Sequence, residues 1–153
     1  MSHTSDIRTS DLRRAVSAIP HWFHSIDLGD GVITPGDKSP ETHRAELETL
    51  PDLRGKSVLD VGAWDGFYTF AAERLGASRV VSLDHFVWSL DRRRAGEIQS
   101  RWRDDRLPLC PHEETDAWRP DSLPGKRGYD LAHKVLGSRA EWVVENFLEA
   151  NLG

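Results

Sequence analysis

Cysteine is nearly absent from this 153-residue chain, with Cys110 standing alone. A single thiol closes no internal disulfide, which excludes a disulfide-stapled scaffold and leads us to expect a reducing, cytoplasmic setting. Long apolar runs are also missing. No stretch approaches the roughly 20 apolar residues that a membrane-spanning helix needs, so no membrane partner is expected. The first twenty residues, with Asp6, Arg8, Asp11, Arg13 and Arg14, hold no apolar segment of the signal-peptide kind. Lysine is scarce: Lys38, Lys56, Lys126 and Lys134 are the only lysines among 20 basic residues, and 25 acidic residues leave a net charge of −5 with His neutral. That balance excludes a chain held to nucleic acid by a general positive field. Repeats and low-complexity tracts are lacking as well, and 38% hydrophobic with 29% charged residues is the composition of an ordinary globular domain.

What is present reads as alternating elements. Leu12, Val16 and Ile19 recur at helical spacing and predict a short helix ending before Pro20. Residues 22–34 switch to period two, with Trp22, His24, Ile26 and Leu28 on one face and Gly29-Asp30-Gly31 as a turn, which predicts a β-hairpin. Ser39 followed by Pro40 marks an N-cap and first helical residue, opening a helix with Ala45, Leu47 and Leu50 among its apolar positions until Pro51. Together these form an N-terminal helical and hairpin extension over residues 1–51, ahead of a unit over residues 52–153.

The second unit opens on the strongest local pattern. Residues 57–62 form a short strand-type run, residues 67–75 carry Phe67, Phe70, Ala71 and Leu75 at helical spacing before Gly76, and residues 79–84 form a second strand ending in Asp84. Strand, turn, helix and strand predict a βαβ unit with parallel strands. Beyond it, Leu90, Ile98 and Trp102 suggest an exposed helix over residues 89–103. Pro108, Pro111, Pro120 and Pro124 then predict a long loop. Tyr129, Leu131, Ala132, Val135 and Leu136 form a helix ending at Gly137, and residues 141–146 a third strand.

In α/β folds ligands bind outside the carboxyl ends of the strands. Those ends hold Asp60 to Gly66, Asp84 and Asn146. Gly62 and Gly66 allow a tight turn and close backbone approach, and Asp84 can accept two hydrogen bonds from vicinal hydroxyls, as a ribose offers. The dinucleotide fingerprint spaces its glycines differently, and an acid at Asp60 opposes a pyrophosphate while attracting a sulfonium or ammonium. The pattern therefore favours S-adenosylmethionine over NAD.

Residues 58–70, VLDVGAWDGFYTF, with residues 80–86, VVSLDHF, resemble the first two cofactor motifs of class I S-adenosylmethionine-dependent methyltransferases. Residues 22–36 are similar to the segment ahead of that motif in methyltransferases related to the tRNA wobble-uridine carboxymethyl-transfer and methyl-transfer enzymes. The resemblance implies an α/β, Rossmann-like fold in which Asp60, Gly62, Ala63 and Gly66 lie along the methionine part of the cofactor. It further implies Asp84 on the ribose, His85 or Phe86 against the adenine, and Asn146 near the adenine amino group. The acceptor would be a small molecule or a tRNA. Trp64 stands where the family has its middle glycine, so its ring must turn away from the cofactor or cover it. The family fold has seven strands and three are legible here, so the expectation is of the N-terminal cofactor-binding half, apparently truncated after the third strand.

Other readings are weaker. Cys110, His112, Glu113 and Glu114 match no closed zinc spacing, so no metal is expected. Arg92, Arg93, Arg94, Arg101, Arg103 and Arg106 outnumber Glu97, Asp104 and Asp105, which reads first as a solvated helix face, with an RNA-phosphate contact as the alternative that the resemblance to tRNA-modifying enzymes implies. An incomplete sheet would also leave an edge open to self-association, or leave a non-catalytic remnant that only binds a partner.

Overall fold

The computed structural model describes residues 8–105 and 111–150, so Cys110, Arg106 and Pro108 lie outside the described residues. Three parallel strands, β1 (Ser57–Val61), β2 (Arg79–Leu83) and β3 (Glu141–Val143), lie in the order β1-β2-β3. Val58 faces Val80 and Asp60 faces Ser82 across the first pair, and Ser82 faces Trp142 across the second. The third strand is half the expected length. Asn146 lies beyond it and starts a turn, its side-chain oxygen accepting from Leu148 N–H at 3.1 Å.

Helices α3 (Phe67–Arg74) and α6 (Arg127–Leu136) cover one face of this sheet. The face that carries Leu59 and Val61 stays open, with those side chains 41% and 48% exposed. Between them the chain forms a single turn, α4 (Phe86–Ser89), and α5 (Arg92–Asp104), which Asp91 caps by accepting from Arg94 N–H at 3.1 Å. The expected helix over 89–103 thus starts three residues later, because Leu90 and Asp91 are extended. Leu90 forms an antiparallel bridge with Trp118. That bridge orders the proline-rich stretch, and Leu90, Ala95 and Ala117 bury together behind it. Lys126 ties α6 to β3: its ammonium lies 3.8 Å from the Trp142 ring and pairs with Asp130. No helix among the described residues is long and apolar enough to cross a membrane.

The extension departs from expectation. Helix α1 (Thr9–Ser17) forms as its spacing predicts and buries Leu12 and Val16. The hairpin does not form as two strands. Residues 22–34 make one antiparallel bridge, Asp27 to Ile33, and His24 then pairs with Lys38 in the parallel sense. The alternation itself is present, since Trp22, His24, Ile26 and Leu28 are all buried. An extended segment that packs one face on a core shows period two whether or not it pairs. Trp22, Ile26 and Leu28 join Phe67, Phe70, Trp88 and Tyr129 in one apolar cluster, each full burial stabilising by about 1.5–3 kcal/mol.

Helix α2 (Pro40–Glu48) starts at Ser39, whose hydroxyl accepts from Thr42 N–H at 3.3 Å. Ala45 and Leu50 are exposed, and the face turned inward carries His43, stacked 3.8 Å from the Phe67 ring. Glu46 accepts from Lys38 at 2.7 Å and from the Tyr68 hydroxyl, which together hold its carboxyl down to about 2.

Asp65 fixes this extension to the β1–α3 turn. Its side chain, 2% exposed, accepts from the backbone N–H groups of Phe23 and His24 at 2.9 Å each and from the His24 ring. Replacing it removes an acceptor for three buried donors. Asp65→Ala is expected to cost about 3–5 kcal/mol, read as a lowered urea midpoint, with limited proteolysis cutting first within residues 20–40. Unchanged stability would show that the extension is held by apolar burial alone.

Candidate functional site

The ends of β1 and β2 are drawn together by the turn between β1 and α3. Gly62 takes a left-handed backbone, φ 76°, and donates to the Leu83 carbonyl at 2.8 Å. A Cβ at Gly62 would meet nothing within 4 Å, so the glycine leaves open space beside the strand ends. Gly66 has φ 87°, but a Cβ there would reach Phe70 and Tyr129 at 2.5 and 2.8 Å. Its small size serves packing of α3 on α6. Ala63, 3% exposed, is part of the apolar cluster.

Asp84 is 3% exposed and its carboxylate collects three backbone donors. Oδ2 accepts from Trp64 N–H at 3.0 Å, and Oδ1 from Val87 and Trp88 N–H at 2.9 and 3.4 Å. Burial pushes its carboxyl pKa up, and these amides oppose that shift. The carboxylate thus anchors both the turn and the single turn of α4.

Asp60 points beneath the sheet. Its Oδ2 accepts from the Thr69 hydroxyl at 2.6 Å, and burial raises its pKa. Thr69 and Ser82 hydroxyls are 2.7 Å apart, and Ser82 lies 2.9 Å from the Tyr129 hydroxyl. An ionised carboxylate only accepts, so the chain runs from Tyr129 through Ser82 and Thr69 to Asp60. Burial lifts the Tyr129 phenol to about 12, which keeps it a donor.

Outside the strand ends lies a cleft of about 430 Å³. Five of the expected residues line it: Gly62, Asp84, His85, Phe86 and Asn146. Asp60, Ala63 and Gly66 do not. The cleft also gathers Trp118 and Glu145, which no motif in the sequence marks, and Glu113, which the sequence offers only within a group that matches no zinc spacing. Trp118 arrives through its bridge to Leu90, placing its ring 5.1 Å from His85 and 5.7 Å from Phe86. The cleft is thus lined by aromatic rings and carboxylates, groups suited to a flat heterocycle bearing hydroxyls. No group of three His, Cys, Asp or Glu side chains placed to hold a metal ion occurs among the described residues.

Trp64 faces the other way. Its φ is 50°, its carbonyl accepts from Trp88 Nε1 at 2.6 Å, and its indole stacks on Phe23 at 4.4 Å with 8° between the planes. The ring therefore turns away from the cleft, the first of the two outcomes expected for a bulky residue at this position.

No family model matches the chain. Among solved structures, it is similar to a Pyrococcus horikoshii protein described as an RNA methyltransferase, at 19% identity and a TM-score of 0.41, over 94% of this chain and 52% of that one. It is also similar to PRMT6, at 18% identity and a TM-score of 0.28, over 68% of this chain and 42% of that one. The chain spans about half the length of the Pyrococcus structure.

The two acids should respond differently to amide substitution. Asp60→Asn keeps an oxygen for Thr69 and removes a buried charge, so it should match or exceed the parent in stability at pH 7. The parent's penalty arises because folding raises this pKa above its ordinary 3.8. It is therefore relieved as pH falls through the raised value, and the gap to Asp60→Asn should close in acid. Asp84→Asn turns an N–H₂ toward a backbone donor and should cost about 1–3 kcal/mol at pH 7. Chemical denaturation of both variants between pH 4 and 7 checks this. Equal losses would overturn the assignment.

Proposed function

We propose that the chain carries the cofactor-binding part of an S-adenosylmethionine-dependent methyltransferase, acting on a small-molecule or tRNA acceptor. The observation that supports it is the convergence of Gly62, Asp84, His85, Phe86 and Asn146 on one cleft at the carboxyl ends of parallel strands. The residues fit the adenosyl part of that cofactor. Trp118, Phe86 and His85 supply ring faces, Glu113, Glu145 and Asn146 supply polar contacts for hydroxyl and amino groups, and the open side of Gly62 admits a ligand against the backbone. Asp60 would act on the methionine part only by its field, because it does not line the cleft and its Oδ2 accepts from Thr69. Bound there, the cofactor supplies a sulfonium-borne methyl for displacement by an acceptor nucleophile. The protein's part is to hold and orient, and no side chain of the cleft is required as a covalent intermediate.

The same reading bears on self-association. Among the described residues no strand pairs with the outer edge of β1, and Leu59 and Val61 are exposed beside it. A second copy covering that edge follows from the rule that open apolar edges pair. The Leu59→Lys and Val61→Lys double variant should shift a sedimentation profile toward monomer. An unchanged profile removes the edge as the contact.

Isothermal titration with S-adenosylhomocysteine tests the cofactor. Saturable binding is expected, weakened about tenfold, or about 1.4 kcal/mol, in Trp118→Ala. A cooperatively folded sample that gives no binding heat would sink the reading.

A further inference from the structure

A second cavity, of about 420 Å³, lies on the Trp64 side of the 62–66 turn, between residues 19–21, the start of α5 and residues 119–128. Its wall is of nearly one sign. Arg92, Arg93, Arg119 and Arg127 line it with His21, and the single acid among them, Asp91, is spent capping α5. The surrounding pairings leave these cations largely unneutralised. Arg93 reaches Glu97 at only 3.7 Å with its own chain 82% exposed, and Arg119 donates to the Asp116 carbonyl at 3.2 Å, the Asp116 carboxylate acting on it through space while bound to Arg94. Arg92 and Arg127 form no ion pair among the described residues.

Arg92 is the centre of the arrangement. Its guanidinium lies 4.7 Å from the Trp64 ring. It is partly buried, and the acid that acts on it through space is Asp37, an exposed side chain engaged 3.5 Å from the His21 ring. Burial pulls its pKa below the ordinary arginine value, and Asp37 offsets that only in part. A partly buried guanidinium with no hydrogen-bonded acceptor carries a desolvation cost, and a planar fork of donors over an aromatic face is suited to a tetrahedral oxyanion. His21 Nε2, buried at the same wall, faces the Asp37 carboxylate at 3.5 Å but makes no hydrogen bond.

We propose that this cavity binds the phosphate group of a phosphorylated ligand, with Arg92 as the central contact and Arg93, Arg119 and Arg127 around it. The assignment does not depend on what occupies the cleft at the end of β2. Net negative charge over the whole chain is compatible with it, because the field that matters is local.

Uridine 5′-monophosphate, uridine and a decauridylate separate the possibilities. They avoid adenine, for which the other cleft is proposed. The monophosphate should bind saturably in isothermal titration and uridine should not. Arg92→Gln and Arg127→Gln should each weaken the monophosphate at least fivefold, while Arg92→Lys retains part of the affinity. S-adenosylhomocysteine binding serves as the control and should not change. Arg127 is exposed, so its variant keeps the test valid if Arg92→Gln fails to fold. A decauridylate that binds no better than the monophosphate assigns the site to a free phosphate ester. Tighter binding with a steep salt dependence, about −0.7 in log–log slope per phosphate contacted, assigns it to a strand. Equal binding of uridine and its monophosphate, no binding of either phosphorylated probe, or affinity unaltered in both glutamine variants would overturn the proposal.

Discussion

The carboxylate of Asp65 sets the relative position of nearly everything that surrounds the two cavities. A buried anion is tolerable only with a full set of donors, and the donors come from Phe23 and His24, some forty residues earlier in the chain. Satisfying that one side chain forces the extended segment against the β1–α3 turn. Phe23 is then placed to stack on Trp64, and His24 lies 5.3 Å from the Phe67 ring. The extension is part of the core of the molecule because an acid on the turn has no other partners.

Three aspartates near the turn, Asp60, Asp65 and Asp84, share a charge and differ in what they organise. Asp60 directs a line of hydroxyls through the covered face of the sheet and ends on Tyr129 of α6. Asp84 joins the turn to α4 through three amides. Burial disfavours the charged forms of both Asp60 and Asp84, and hydrogen bonds offset part of that cost. Ligand recognition at the strand ends is therefore built on acids that are already engaged, while Glu113 and Glu145 remain exposed at the rim.

Much of this was legible in the residues. Short apolar runs ending in Asp60 and Asp84, with Gly62 and Gly66 between, specify strand, turn and helix because glycine supplies left-handed backbone and the runs are too short for buried helices. Ser39-Pro40 specifies a helix start for the same local reason. What local pattern leaves open is the partner across space. Period two over residues 22–34 reports one buried face and is silent on pairing, so a single bridge stands where two strands were expected. The buried face of α2 turns on His43, an amphipathic side chain that an apolar count passes over. Trp118 reaches the cleft through a bridge between segments separated by 28 positions, Leu90 and Trp118, in a stretch whose prolines spell only a loop.

Trp64 holds a left-handed backbone, a conformation that costs a bulky residue about 1–3 kcal/mol. Its amide is tied to Asp84, its carbonyl to Trp88 and its ring to Phe23. A residue kept in a high-energy state by several neighbours has no low-energy way to move while they stay in place, and it relaxes readily once they part. The turn thus behaves as a latch under tension. Its amide should exchange with solvent only in events that open the strand end, α4 and the extension at once, which makes those elements one cooperative opening unit.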